Sequence, residues 1–543
     1  MATKRPPLFA RDATGLVREF GLFDVMVLSS GTIWVASAGY SFFIAYFPIL
    51  GPNAWIPLAL VFGAVAALFF YLGIALMSIA MPRTGGDYVY ISRIFSGIPV
   101  LGFMNNFVFV IWSIILMGES VPYVVSLGVV APAYFVSLQS NNPALFTFAS
   151  ILSQNGPAFI LGTIINIALA AIAIGGARWI KLFNKITFIL AIVGVIVLVA
   201  VLFAYSSSDF QTAFNSISSQ TGVGYNDVMQ IASSTGWQSP NYSLVGALQL
   251  LPLMFFVFYG ASFGAYYGGE VKTPRKTQIS AAVLSILGGL VYFVVLAVGT
   301  THLMGDQFFS ALSWLGWGPG AVAGKNPFPT LPALNAIDGL VVPQPFNAWF
   351  QFFEGAVMIL TYIPWFMTYY MWVTRCIFAW SFDRIIPEKF SSVSERFHTP
   401  VFAIVIIAIG MEIVAAVFIY TTFFYTQFNS FVGLLSVMIL PSVAIAAFPF
   451  LKKDLFEASP PVVKIRVAGF PVISILGILS TIVTLYSTVA FLGIPLLGPT
   501  NPAAFAMFIG MFVLGVVIFY AGWFYRKSKG LDLGNIYKLI PPE

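Results

Sequence analysis

The chain has 543 residues, of which 59% are hydrophobic and only 8% are charged, and its formal net charge is +6. Soluble domains do not have this composition, and apolar runs of about twenty residues recur along the chain. A single cysteine and two histidines exclude an intramolecular disulfide and argue against a metal site or catalytic relay built from these side chains. The composition predicts an all-α integral membrane protein that is not an enzyme and has no cofactor.

Hydropathy predicts about twelve membrane spans, each long enough to cross a bilayer core of roughly 30 Å. In chain order, spans 1 to 12 cover residues 22–48, 55–81, 98–133, 157–176, 179–205, 244–268, 278–301, 347–382, 400–422, 428–451, 470–492 and 503–525. If the N-terminus is cytoplasmic, 24 of the 25 lysine and arginine residues fall in cytoplasmic segments, and only Lys325 lies outside. This distribution supports the span count, predicts that both termini are cytoplasmic, and explains the basic charge without a nucleic-acid partner.

The segments predicted to lie outside are mostly polar. Loops 137–155 and 206–243 contain neither lysine nor arginine, and Asn241 begins a glycosylation sequon whose use the sequence leaves open. Loop 302–346 is rich in glycine, proline and tryptophan, and we expect it to cover an outer vestibule.

Span 6 is the first candidate for a binding site because its helix is predicted to break inside the membrane. Residues 250–276 begin as an apolar helix and then reach residues 259–262 (YGAS), which favour helix poorly. Unwound backbone in hydrocarbon lacks hydrogen-bond partners, so it persists only where it is buried in protein or lines a cavity. There the bare main chain can bind a ligand.

Span 1 has a second weak point at residues 28–34 (LSSGTIW), where serine, glycine and threonine favour helix poorly. Spans 1 and 6 lie five spans apart and run in opposite directions. Interrupted spans in matching positions of two inverted halves are the best sequence indication of a transporter's central site. The alternative is that the small residues only permit close helix packing. Because spans 1 and 6 are both interrupted and at matching positions, the binding-site interpretation is favoured.

Three segments predicted to be cytoplasmic carry motifs. Residues 81–93 read MPRTGGDYVYISR, residues 269–276 read GEVKTPRK, and residues 374–387 read TRCIFAWSFDRIIP. In order and spacing they resemble the P-x-x-G-G-x-Y-x-Y-x-x-R, E-E-V-K-N-P-R and S-R-x-x-x-A-x-A-R-D-G-x-x-P motifs of the amino acid–polyamine–organocation (APC) transporter superfamily. The resemblance covers residues from about 20 to 525.

This resemblance implies a 5+5 inverted-repeat (LeuT/APC-type) core followed by two peripheral helices, with alternating access around a site between spans 1 and 6. The implied segments are an N-terminal tail (1–20), a first repeat (21–205), an extracellular loop (206–242), an inverted second repeat (243–451), a cytoplasmic loop with two peripheral helices (452–525) and a cytoplasmic tail (526–543). The implied substrate-binding residues are Ser29, Ser30, Gly31, Thr32, Ile33, Met117, Phe256, Phe258, Tyr259, Gly260, Ala261 and Ser262.

An amino acid fits such a site physically. The N-terminus of a half-helix carries roughly +0.5 charge and free N–H groups, which suit a carboxylate. The carbonyl groups at half-helix C-termini suit an ammonium group.

Glu119 is the strongest candidate for proton coupling. It lies in the middle of span 3, seven residues after Trp112, and resembles a glutamate that some family branches place beside the substrate. A carboxylate inside a span costs on the order of 2.5–3.5 kcal/mol and is functional by default. Burial would favour its protonated form. The alternative is a structural hydrogen bond to a neighbouring helix.

Departures from the family pattern leave the coupling ion open between H⁺ and Na⁺. Gly269 replaces the first glutamate of a Glu-Glu pair, Ser262 stands where some members have glutamate, and Ala191 stands where several proton-coupled members have a buried lysine. If sodium is the ion, we expect its site near Thr361 or Thr368 of span 8 and the carbonyl groups of span 1.

The motif segments are also expected to form a cytoplasmic gate. Glu270, Lys272, Arg275 and Arg375 are predicted to form ion pairs that control inward opening, with Tyr88 and Tyr90 capping the inner vestibule. The alternatives are plain positive-inside topology and ordinary interfacial tyrosines.

Three further carboxylates lie within spans. Glu412 of span 9 is assigned to interhelical packing or an oligomer contact, and Glu354 to the interface at the start of span 8. Asp24 is expected to interact with the helix dipole at the start of span 1.

The sequence thus predicts a secondary active transporter of the cell membrane that takes up amino acids or related amines with protons. Its expected partners are the small-molecule substrate, the coupling ion and the lipid bilayer, and its oligomeric state is left open. The alternatives are an amino-acid exchanger, a polyamine or organic cation transporter, or a nutrient sensor of the same fold that binds without transport.

Overall fold

The computed structural model describes residues 16, 18–31, 40–328, 333–493 and 500–540. This part of the chain is almost entirely helical. Its two strands, Arg466–Val467 and Phe470–Pro471, form one short antiparallel hairpin, in which Val467 pairs with Phe470. The prediction of an all-α membrane protein is confirmed.

Ten helices in the described ranges are long and apolar enough to cross a membrane. They are Ile56–Ala80, Val100–Ser140, Asn155–Ile174, Ala177–Ala204, Pro274–Met304, Phe346–Phe382, Val401–Tyr420, Ser430–Leu451, Val472–Leu492 and Pro502–Ser528. They correspond to predicted spans 2 to 5 and 7 to 12. Span 3 continues through a π-helical turn at Ser126–Val130 and ends at Ser140, which is seven residues beyond the predicted end.

The two remaining predicted spans consist of shorter pieces. Span 1 begins as helix Leu22–Ser30, and a π-helical turn, Tyr40–Ile44, leads into helix Ala45–Leu50. Span 6 consists of helices Leu244–Gln249 and Leu251–Val257. It continues after its break as two 3₁₀ turns, Phe263–Ala265 and Gly268–Glu270.

The long loops on the predicted outer side are folded. Their helices are Pro143–Leu152, Ser207–Ser216, Ser218–Thr221, Tyr225–Ser234, Asp306–Trp317, Pro319–Val322 and Leu334–Asp338, the last followed by the 3₁₀ turn Gly339–Val341. Two of these loops are joined by Trp314, which donates to Thr235 (2.9 Å), and by Trp237, which donates to Ser310 (3.0 Å). On the basic side lie Asp87–Ile94, Glu388–Ser391, Lys453–Ala458 and Leu533–Lys538.

The contacts between spans follow an offset of five. Span 1 packs on span 7, and span 6 packs on span 2. Span 5 packs on span 8, and span 10 packs on span 3. Spans 2 and 7 pack on each other, as do spans 4 and 9. If five is added to or subtracted from each span number, every one of these pairs becomes another pair of the set or remains the same pair.

Burial differs widely between the spans. About two thirds or more of the apolar core is buried in spans 2, 3 and 8 (67%, 72% and 72%), against 33% in span 11 and 22% in span 12. Span 11 packs on spans 2 and 10, and span 12 packs on span 3. The exposed apolar faces of spans 11 and 12 are suited to contact lipid.

Spans 2 and 6 approach each other closely at Gly63. A Cβ atom at Gly63 would lie 2.3 Å from Cβ of Met254, whereas a Cβ at Gly510 in span 12 would meet nothing within 4 Å. Gly63→Ala should therefore lower the apparent Tm by several degrees, because overpacking costs about 1–3 kcal/mol. Thermal unfolding in detergent is the measurement. Gly510→Ala is the matched helical control and should leave Tm unchanged or slightly raised; equal Tm values for the two variants would contradict this packing.

Candidate functional site

The helix of span 6 ends at Val257 because the following residues turn away from helical geometry. Gly260 has φ = +94°, a backbone conformation that residues with a Cβ rarely adopt. The amide of Tyr259 donates to the carbonyl of Phe256 (2.9 Å), which is a tighter turn than an α-helix makes. The predicted break therefore lies where the sequence placed it.

Tyr71 of span 2 holds this break in place. The amide of Gly260 donates to the Tyr71 hydroxyl (3.0 Å), and the Ser262 hydroxyl donates to the Tyr71 carbonyl (2.7 Å). One residue therefore satisfies two polar groups in the interior of the protein. Within the described ranges, the amides of Ala261 and Ser262 donate no hydrogen bond. These two N–H groups remain available to a ligand.

Aromatic rings surround the break. Tyr259 packs edge-to-face on Trp112 of span 3 (5.7 Å between ring centroids) and lies 5.4 Å from Phe256. Phe256 in turn contacts Phe431 of span 10 (4.6 Å). Phe258, the other predicted ring, is buried but does not belong to this cluster. Spans 3, 6 and 10 thus meet in an aromatic wall beside free main-chain amides.

Glu119 faces this wall. It follows Trp112 by seven residues, so the two side chains share one face of span 3. Its carboxylate interacts electrostatically with Tyr259, it is partly exposed, and it receives no hydrogen bond from a described residue. Met117 lies only two residues before Glu119, which turns it about 200° away around the helix. The structure therefore does not place Met117 beside Glu119.

The described first helix of span 1 packs against spans 7 and 8. A Cβ at Gly31 would lie 3.1 Å from Cβ of Pro364, so this glycine permits close packing against span 8. Ser30 bonds Ser285 of span 7 (3.1 Å), and Ser29 is buried near Tyr267. Two other predicted residues, Thr32 and Ile33, lie outside the described residues.

Of the two hydroxyls proposed for a sodium site, that of Thr368 contacts the described part of span 1. Thr368 donates to the carbonyl of Leu28 (2.7 Å), which joins span 8 to the end of the first helix of span 1. Thr361 donates to Met358 in its own helix (2.6 Å).

A cavity of about 30 Å³ lies beside the break. Its lining includes Tyr71, Tyr259, Ser262 and Asp87, together with apolar residues of spans 2, 3 and 10. This volume accommodates one or two water molecules. Entry of a larger solute requires the surrounding helices to separate.

Glu270 and Arg375 form a buried ion pair that joins spans 6 and 8. Arg375 donates from Nε and Nη2 to the two carboxylate oxygens of Glu270, at 2.8 Å each. The carbonyl of Glu270 also accepts from the amides of Glu19 and Phe20, so the segment before span 1 is attached to the same point.

The predicted roles of Lys272 and Arg275 in this network are wrong. Both side chains are exposed, and neither forms an ion pair with a described residue. They lie at and just before the start of span 7, where water solvates them. The expected ion-pair network reduces to Glu270 and Arg375.

A second buried ion pair joins the helix Asp87–Ile94 to the end of span 8. Arg93 donates to both oxygens of Asp383 (2.6 and 2.9 Å), and the Tyr88 hydroxyl donates to the same carboxylate (2.6 Å). The ring of Tyr537, near the C-terminus, lies 5.0 Å from the guanidinium of Arg93. Tyr90, the other predicted capping tyrosine, instead donates to the carbonyl of Ala265 after the break (3.3 Å).

Asp87 is buried on the inner side of the cavity. It accepts hydrogen bonds from Asn106 (2.7 Å) and Asn105 (3.2 Å) of span 3, and from Tyr266. Burial raises the pKa of its carboxyl to about 6, and these donors act in the opposite direction. The carboxyl therefore titrates within the physiological range.

The other carboxylates within spans have different environments. Glu412 accepts from Thr163 and from Asn166 (2.9 Å), as expected for interhelical packing. Asp24 accepts from the amide of Gly21 (3.0 Å) at the start of span 1, as expected. The interfacial assignment of Glu354 is wrong, because its side chain is 1% exposed.

Sequence reasoning missed Tyr71, Asp87, Asp383 and Tyr537. Tyr71 is an ordinary tyrosine in an apolar span, and no local pattern distinguishes it. Asp87 and Asp383 lie inside two of the motifs, so their position was a usable signal. Tyr537 lies in a short polar tail whose docking site cannot be read from its own sequence.

The ten apolar helices in the described ranges make this a multi-pass membrane protein, and the interrupted span 6 lies within their bundle. The sequence matches the amino acid permease family over residues 20–519, and the chain belongs to that family. Among curated proteins, no match was found. The chain is therefore a membrane transporter of amino acids or related compounds and not an enzyme, and its location is consistent with the cell membrane.

The Glu270–Arg375 pair can be tested by a double-mutant cycle. Each of Glu270→Gln and Arg375→Gln should lower the free energy of unfolding by about 3–5 kcal/mol, because each leaves one buried charge unpaired. The double variant should lose clearly less than the sum of the two. Denaturant unfolding in detergent is the measurement.

Lys272→Gln and Arg275→Gln are the controls for this cycle, since exposed charges change stability by less than about 0.5 kcal/mol. Additive losses from Glu270→Gln and Arg375→Gln would contradict direct pairing.

Proposed function

We propose that the protein is a secondary active transporter that takes up amino acids or related amines with protons by alternating access. The observation that carries this proposal is the break of span 6, where two unpaired amides lie beside an aromatic wall faced by Glu119. In the closed interior, a substrate carboxylate can accept from the amides of Ala261 and Ser262. Tyr259 and Phe256 would cover its apolar part.

The packing of the spans supports a 5+5 inverted repeat with two peripheral helices. The offset of five in the contacts is what two inverted halves, residues 21–205 and 243–451, would produce. Spans 11 and 12 follow the second half in the chain and are only 33% and 22% buried, so they would then be the peripheral pair. In this proposal both termini are cytoplasmic, and the two buried ion pairs close the inner side.

Glu119 is the proposed proton-coupling residue. It has neither a cation nor a hydrogen-bond donor among the described residues, so no such partner favours its charged form. A proton moving down roughly 100 mV supplies about 2.3 kcal/mol, which corresponds to accumulation of several tens of fold. Protonation would remove a charge next to Tyr259 and allow the wall to close over the substrate.

The alternatives make different predictions. An exchanger would catalyse counterflow without concentrative uptake. A nutrient sensor would bind substrate without counterflow in liposomes. Both ends of this molecule are closed by contacts between separate segments, which supports transport, because alternating access requires each end to open in turn.

Glu119→Gln should abolish uptake driven by a pH gradient in proteoliposomes and should retain substrate counterflow, because it removes the titratable group and keeps the shape. Glu412→Gln is the matched control, since Glu412 is a span carboxylate that already receives two hydrogen bonds. That control should accumulate substrate normally. Concentrative uptake by Glu119→Gln at the wild-type level would remove Glu119 from the mechanism.

Gly260→Ala should weaken substrate binding by roughly tenfold or more, because an alanine at φ = +94° costs about 1–3 kcal/mol and shifts the break. Gly236→Ala is the matched control. Gly236 lies in the outer loop with φ = +95° and open space around it, so an alanine at this position introduces the same strain away from the site. Isothermal calorimetry with amino acids is the measurement. Equal affinities for the two variants would argue against the main-chain site.

A further inference from the structure

Three polar side chains form a buried stripe at the outer end of span 8. Asn347, Gln351 and Glu354 are spaced by four and three residues, so they share one face of the helix, and all are at most 1% exposed. Asn347 donates to the carbonyl of Gly339, and Gln351 donates to the carbonyl of Ala336 (2.7 Å). The outer-loop segment that includes these carbonyls therefore lies directly over the stripe.

Asp338 belongs to that segment and connects it to two other spans. One of its carboxylate oxygens accepts from the hydroxyl of Tyr40, which begins the outer part of span 1. The same hydroxyl bonds Thr300 of span 7 (2.7 Å). Asp338 is fully buried. The outer loop, span 1 and span 7 thus meet at one carboxyl group.

Glu354 lies close enough to Asp338 for the two carboxyls to repel each other electrostatically. Among the described residues, neither oxygen of Glu354 nor Oδ1 of Asp338 has a hydrogen-bond partner. The titratable groups that interact with this pair are Tyr40 and Tyr292, and no described lysine, arginine or histidine pairs with either carboxyl. A buried carboxylate without donors or a counter-ion costs several kcal/mol, so the surroundings support the neutral form.

We propose that Asp338 and Glu354 form a proton-binding site that is filled from the outer solution and holds the outer loop against spans 1 and 8. Opening of the loop would expose both carboxyls to water, where they ionise. Closing would require at least one proton to bind. The site is separate from Glu119, and only its assignment to the outer side rests on the proposed orientation.

A proton explains the arrangement better than a metal ion. A proton needs one carboxyl oxygen, whereas a hard metal ion needs several oxygen ligands around it. Sodium is nevertheless the competitor to exclude, because Oδ1 of Asn347 and Oε1 of Gln351 also have no partner in the described part of the chain.

The direction of the pH effect follows from Asp338. Burial raises the pKa of its carboxyl to about 8, and the hydrogen bond from Tyr40 acts in the opposite direction. The unfolded chain releases this proton near its ordinary value of 3.8, so between about pH 4 and about pH 8 the folded chain holds the extra proton. The stability that this proton provides is present at low pH and is lost as the pH rises through about 8.

The test compares the apparent Tm of the full-length protein in detergent at about pH 6 and about pH 9, in choline chloride without sodium. The wild type should lose ~3 °C or more at the higher pH. Asp338→Asn/Glu354→Gln mimics the protonated pair and should lose most of that difference, so that it is the more stable protein at about pH 9. Asp306→Asn is the control, because Asp306 is an exposed carboxyl of the same loop that interacts with Tyr242 instead. It should keep the wild-type pH dependence.

Tyr40→Phe is a second test, which remains informative if the double variant does not fold. It removes the hydrogen bond that favours ionised Asp338, so Tm should fall at a higher pH than in the wild type. A shift to lower pH, or none, would overturn the proposal.

Two further outcomes would also overturn it. One is an unchanged pH dependence in Asp338→Asn/Glu354→Gln. The other is a sodium-dependent rise of the wild-type Tm at about pH 9 that the double variant lacks, which would identify a metal site. Because the readout is stability and not uptake or counterflow, failure here is distinguishable from failure of the proposed transport mechanism.

Discussion

The structure depends on the contact between Tyr71 and the break of span 6. An interrupted helix inside a membrane leaves amides and carbonyls without water, and each unsatisfied group costs several kcal/mol. Tyr71 accepts from Gly260 through its hydroxyl and from Ser262 through its carbonyl. It therefore stabilises the ends of the turn and leaves the amides between them unpaired. A binding surface made of main chain exists because a neighbouring span satisfies the groups on either side of it.

Both ends of the bundle are closed around this point. On the basic side, Glu270–Arg375 joins spans 6 and 8, and Arg93–Asp383 joins the helix before span 3 to span 8. On the opposite side, the outer loop covers the polar face of span 8 through Asp338 and its neighbours. The cavity of about 30 Å³ beside the break is too small for an amino acid, so the proposed transport requires this conformation to open. Span 8 takes part in both closures, which makes it the element through which the two ends can influence each other.

Most of the fold was predictable, because span length and charge distribution are set by the bilayer and not by detailed packing. The break of span 6 was predictable from the run 259–262, and the Glu270–Arg375 pair from two motifs that the topology brings to one end. Lys272 and Arg275 were assigned wrongly because charge alone does not distinguish a buried partner from a solvated one. Tyr71 was not predictable, since its role arises only when spans 2 and 6 pack together. Met117 could have been separated from Glu119 by sequence alone, because residues two positions apart on a helix point in nearly opposite directions.

The central claim is that the amides of Ala261 and Ser262 bind the substrate. Hydrogen exchange of the peptide covering residues 258–266, measured with and without a transported amino acid, tests it most directly. If these amides bind the substrate, they should exchange more slowly at saturating substrate, with little change in span 12. Substrate binding without protection of this segment would contradict it.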